Sequence, residues 1–141
     1  MSTWKIARKI TVNNQFTIDV PESHILALLD AAGTGIAYWA GSAVVDTGER
    51  TYTVRVDDEQ PSLDRDHPRE RVLDFDWIAK MLVRLSLGDT VIGHEALSAG
   101  YARQWLGALM KGDLDADSFF DADIADTVVQ LCFFRGELVF G

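Results

Sequence analysis

Near residue 73 the hydrophobic pattern of this chain changes period, and that change limits the folds open to it. Before it, Phe16, Ile18 and Val20 alternate with Thr17 and Asp19, and Tyr52, Val54 and Val56 alternate with Thr51, Thr53 and Arg55. Successive side chains of a strand point to opposite faces, so both stretches read as half-buried strands. After it, Phe75, Ile78, Ala79, Leu82 and Leu85 recur at helical spacing, with Trp77 and Met81 widening the same face. Strands first and helices afterwards predict an α+β fold. The expected architecture is a small antiparallel sheet over residues 4–57 carrying one short helix, followed by three packed helices.

Local signals fill in this outline. Residues 4–12 read as a strand, Asn13-Asn14 as a turn, and Pro21 as the first position of a helix whose stripe is Ile25, Leu28, Leu29 and Ala32. Gly33 is the expected stop. Residues 36–46 read as a strand with a bulge at Gly41, and Thr47-Gly48 as a hairpin turn. Tyr38 and Trp39 fall on that strand as neighbours, so one should be core and the other an exposed aromatic anchor. Residues 57–72, DDEQPSLDRDHPRERV, read as a mobile charged loop. Asp74 is an N-cap candidate for the central helix and Gly88 its stop. A further helix should span Glu95 to Lys111, with Tyr101, Trp105, Leu106, Leu109 and Met110 apolar and Gly112 after it. In the last helix Ile124, Val128, Leu131 and Cys132 share a face, Asp121 caps the start, and Gly136 is the expected C′ residue, with Arg135 in the last turn. Cys132 therefore reads as a small buried hydrophobe.

A chain of 141 residues suits a single domain, here residues 1–141. No apolar run approaches the roughly 18–20 residues of a membrane span, and the amino terminus has no secretory h-region. One cysteine excludes an internal disulfide and suits a cytoplasmic setting. The net charge of −9 argues against direct binding to nucleic acid or an anionic membrane, and permits binding to a basic surface of a protein partner. The charge is also one-sided. Acidic and basic residues balance over residues 1–56, so all the excess lies in residues 57–141.

Asp113, Asp115, Asp117, Asp121, Asp123 and Asp126 follow one another with no lysine or arginine between them. A solvated loop and a capped helix start explain such a run. A carboxylate surface offered to a partner explains it as well, and makes Asp113, Asp115, Asp117, Asp121 and Asp123, with Tyr38 and Trp39, the candidate binding residues. A calcium loop does not fit: its turn position is Ser118 rather than glycine and its bidentate position is Ile124 rather than glutamate. His24, His67 and His94 are far apart in the chain, so no metal site is expected. Asp64, Asp66 and His67 have no nucleophile beside them, and no catalytic residue is assigned. Gly33 and Gly35 lack the third glycine of a dinucleotide loop, where Tyr38 stands, and no cofactor is expected.

Asp121, Ala122, Ala125, Asp126, Gln130, Phe134, Gly136, Glu137, Val139, Phe140 and Gly141, together with Tyr38-Trp39, carry a resemblance. The stretch is similar to a D-A-x-x-A-D-x-x-x-Q-x-x-x-F-G-E-x-V-Y-G ending found in small acidic proteins of bacteriophages and prophages, with Arg135 as an extra residue between Phe134 and Gly136. That family has no settled activity. The resemblance implies a phage setting inside a bacterial host and a partner in the host or its defences. The functional expectation is a non-enzymatic binding protein whose carboxylates stand in for phosphates. The alternatives are a metal-dependent enzyme using the Asp64–His67 loop and a virion or assembly component.

Overall fold

The computed structural model describes residues 6–12, 16–58, 67–88, 96–113 and 115–140. The expected Asn13-Asn14 turn, residues 59–66 of the charged loop, His94 and Glu95 lie outside them. The fold is α+β. In order the elements are β1 (Ile6–Val12), β2 (Phe16–Pro21), α1 (Glu22–Gly35), β3 (Ala40–Asp46), β4 (Thr51–Val56), β5 (Glu70–Asp74), α2 (Phe75–Ser86), α3 (Ala96–Met110), a 3-10 turn (Ala116–Phe119) and α4 (Ala122–Phe133).

The strands pair as two sheets. β1 and β2 form an antiparallel hairpin, and β3, β4 and β5 form a three-stranded antiparallel sheet with β4 in the middle. The alternation read in β2 and β4 holds, with Ile18, Val20, Tyr52, Val54 and Val56 buried and Asp19 and Arg55 exposed. Gly41 lies at a register shift between β3 and β4, where a bulge was expected. A Cβ on Gly41 would stand 3.2 Å from the Asp57 Cα, so the close strand approach suits glycine.

Three boundaries differ from the sequence reading. Residues 70–72, expected as the end of the charged loop, open β5. Its outward residues Glu70, Val72 and Asp74 are exposed, and only Leu73 is fully buried. An edge strand with charged residues has no clean apolar alternation to read. α1 runs past Gly33 to Gly35. There a Cβ would collide with the Ala122 carbonyl, so glycine lets the end of α1 meet the start of α4. β3 begins only at Ala40, because Trp39 N and Ala40 N both donate to the Ile36 carbonyl and close a turn.

One hydrophobic cluster draws on both sheets and all four helices. α2 supplies Ala79 together with Phe75, Ile78, Met81, Leu82 and Leu85, and each of these five larger side chains contributes on the order of 1.5–3 kcal/mol by leaving water. Asp74 caps α2 by accepting from Trp77 N at 2.6 Å, and Asp121 caps α4 by accepting from Ile124 N at 2.9 Å, as the sequence predicts. In α3, Trp105, Leu106 and Leu109 are buried, but Tyr101 and Met110 face outward. Gly88 and Gly112 adopt positive φ directly after α2 and α3.

α4 ends differently. Gly136 N donates to the Leu131 carbonyl at 2.8 Å, the longer bond of a Schellman turn, which makes Arg135 the C′ residue. Arg135 therefore holds the left-handed conformation (φ 53°) that the sequence reading gave to Gly136. Arg135 thus occupies the position that glycine fills without strain.

Candidate functional site

The acidic connection between α3 and α4 starts at the Gly112 turn. Asp113, Asp115, Asp121 and Asp123 are exposed, and Asp117 is half-buried. Asp113 Oδ1 accepts from Asp115 N at 2.8 Å, an Asx turn that fixes the loop before the 3-10 turn. Asp117 lies toward α1, close enough for its charge to act on His24. Asp113, Asp115, Asp117 and Asp121 form no ion pair with any described residue. Among the described residues no three His, Cys, Asp or Glu side chains come together as a metal site.

The sixth aspartate goes elsewhere. Asp126 sits one turn into α4, facing the turn before β3. Its Oδ1 accepts from Trp39 Nε1 at 2.8 Å and its Oδ2 from the Tyr38 hydroxyl at 2.7 Å. Tyr38 and Trp39 are not on a strand and do not diverge; they grip the two oxygens of one carboxylate. Trp39 is fully buried, so it is no exposed anchor, while Tyr38 remains 51% exposed along its ring. Burial of the hydroxyl, and then its hydrogen bond to Asp126, push the Tyr38 phenol well above its ordinary range.

Gln130, one turn further along α4, is buried and completes the corner. Its Oε1 accepts from Val139 N and Phe140 N, both at 2.9 Å. Those partners are donors only, which fixes the orientation of the amide. Its Nε2 then donates to Asp126 Oδ1 at 2.9 Å and to the Phe140 carbonyl at 3.1 Å, with the Tyr38 oxygen 3.2 Å away. The Phe140 ring stacks on Trp39 at 5.4 Å and 15°, and Phe133 and Phe134 close around the same indole.

Comparison with protein-family models, with curated proteins and with solved structures gave no match. Several residues of the carboxyl-terminal stretch are explained by their contacts within the fold. Asp126, Gln130, Phe134, Val139 and Phe140, with Tyr38 and Trp39, form one interlocked corner that ties the carboxyl-terminal segment to the β3 turn. Every oxygen of Asp126 is committed to a donor within the fold. This corner is built to hold the chain together, and it leaves no lone carboxylate for acid–base chemistry.

Of the Asp64–His67 loop, Asp64 and Asp66 lie outside the described residues. His67 turns Nε2 toward Glu137 Oε2 at 3.2 Å and packs edge-on against Phe134 at 5.3 Å. The sequence reading did not anticipate a cleft of about 600 Å³ between β5, α2 and the end of α4, lined by Arg71, Trp77, Met81, Arg84 and Arg135 with Cys132 at its inner wall. Its arginines come from a segment read as loop, from the polar flank of a helix and from a helix end. No local sequence signal joins these residues. Cys132 is buried as expected, and burial, then the Asp74 carboxylate, push its thiol far above the usual range, so it is no nucleophile.

Proposed function

We propose that this chain is a non-enzymatic binding protein that presents the α3–α4 connection to a basic surface of a protein partner. The observation that carries the reading is the set of unpaired carboxylates: Asp113, Asp115, Asp117 and Asp121 meet no cation within the described fold. Holding several like charges near one another costs free energy unless a partner or solvent screens them. The resemblance of the carboxyl terminus to small acidic phage and prophage proteins supports a host or host-defence protein as the partner, and a carboxylate array in place of phosphates as the means.

Replacing Asp113, Asp115 and Asp117 together by asparagine tests this. Asparagine keeps the Oδ1 acceptor that Asp115 N needs, so the loop and the melting temperature should hold. A partner captured from nuclease-treated bacterial lysate should bind the triple variant more weakly and with a flatter salt dependence, since fewer ion pairs remain to be screened. Duplex DNA should compete with the unaltered protein for that partner. Undiminished affinity of the variant would remove the acidic connection as the binding surface.

A further inference from the structure

Arg71 in β5, Arg84 in α2 and Arg135 after α4 line the cleft of about 600 Å³, a volume within the range that encloses small ligands. In a chain with net charge −9, such convergence of guanidinium groups runs against the overall balance. Neither Arg71 nor Arg135 makes an ion pair or side-chain hydrogen bond with a described residue, and Arg71 Nε is buried without a partner. A buried donor with nothing to donate to costs stability, so it calls for a reason. Arg71 lies over the Phe133 ring at 5.9 Å, which sets the direction of its guanidinium. Burial first, and then the nearby Arg135 charge, disfavour the charged form of Arg71. Arg135 also holds a left-handed backbone that glycine, present at the very next position, would take freely. Two unpaired like charges and a strained backbone gather at one cleft, and strain of this kind collects where a ligand is bound.

We propose that this cleft binds a small organic phosphate, its dianion held between Arg71 and Arg135 and its apolar body against Trp77 and Met81. Guanidinium groups match phosphate oxygens in paired hydrogen bonds, and a dianion between the two cations removes their repulsion. Arg84 adds a third positive group to the lining, and Lys80 Nζ lies 5.7 Å from the Trp77 ring. The one carboxylate in the lining, Asp74, is drawn toward the α2 amino terminus by its hydrogen bond from Trp77 N. Trp77 and Met81 supply the apolar wall that inorganic phosphate would leave uncovered.

Phenyl phosphate, inorganic phosphate and phenol serve as probes at constant ionic strength, read by thermal shift and by calorimetric titration. Phenyl phosphate should raise the melting temperature in a saturable manner, inorganic phosphate should bind more weakly, and phenol should have no effect. Arg135→Gly relieves the backbone strain, so its melting temperature should be unchanged or higher while its affinity for phenyl phosphate falls roughly tenfold to a hundredfold. Arg71→Met keeps the chain length over Phe133 and should weaken binding to the same degree. The absence of saturable binding, or equal affinity in the Arg135→Gly and Arg71→Met variants, would overturn the assignment. Both variants leave Asp113, Asp115 and Asp117 intact, so this site and the acidic connection stand or fall separately.

Discussion

Gln130→Leu removes the amide at the centre of the carboxyl-terminal corner while keeping its volume. Four groups then lose a partner: Val139 N, Phe140 N, the Phe140 carbonyl and Asp126 Oδ1. Asp126 Oδ1 keeps Trp39 Nε1, but with the segment still docked each of the three part-buried backbone groups would cost about 1–3 kcal/mol. The segment has a cheaper route. By peeling away it returns its three backbone groups to water and gives up the Phe140 stack on Trp39, worth about 0.5–1.5 kcal/mol beyond the burial of a half-buried ring. The expected cost is therefore bounded by undocking, at about 2–4 kcal/mol. Urea unfolding measures it, and carboxypeptidase digestion reports whether the segment is released. Truncation after Gly136 should cost a similar amount, and the two changes together should cost less than their sum by about 1 kcal/mol or more, because both delete the same docking. Additive effects, or a loss under about 1 kcal/mol with the terminus still protected, would refute the clamp.

Further expectations follow from single contacts. Gly35→Ala should destabilise by roughly 1–3 kcal/mol or more, since its Cβ meets the Ala122 backbone, whereas Gly33→Ala, with open space around it, should stabilise by about 0.5–1 kcal/mol; thermal unfolding of both separates close approach from helix propensity. Arg135→Gly should leave stability unchanged or raise it by about 1 kcal/mol, and a clear loss would show that the left-handed arginine is not strained. His24 is buried and its Nδ1 accepts from Trp105 Nε1 at 3.1 Å, so burial lowers its pKa from 6.5 despite the opposing Asp117 charge. The unfolded chain then binds the proton first, and stability should fall as pH drops below 6.5, at up to about 1.4 kcal/mol per pH unit; His24→Gln keeps an acceptor for Trp105 and should flatten that slope, and an unchanged slope in melting temperature between pH 5 and 8 would assign it to other groups.

The parts of the fold legible in the sequence are those where one local rule acts alone. The caps at Asp74 and Asp121, the alternation in β4 and the stripe of α2 each depend on neighbours within a turn or two. What escaped reading depends on distant backbone. Gly33 and Gly35 are both credible stops, and only the approach of Ala122 decides that the helix runs to the second. β5 has one fully buried side chain and is recognisable only through its pairing with β4. Tyr38 and Trp39 alternate as a strand would, but the Ile36 carbonyl captures the next amides and turns them together.

The same distinction separates the two candidate surfaces. The acidic connection is contiguous in sequence, so composition alone exposed it, and the structure subtracts one member by committing Asp126 to Tyr38, Trp39 and Gln130. The arginine cleft is assembled from residues 71, 84 and 135, and no window along the chain contains it. Arg135 links the two scales. Locally it reads as a favourable cation in the last turn of a helix, a role worth about 0.3–1 kcal/mol. Its left-handed φ of 53° offsets that gain, since a non-glycine residue there costs about 1–2 kcal/mol. Helix capping alone therefore does not account for an arginine at this position, whereas the anion-binding role proposed for it in the cleft it lines with Arg71 would.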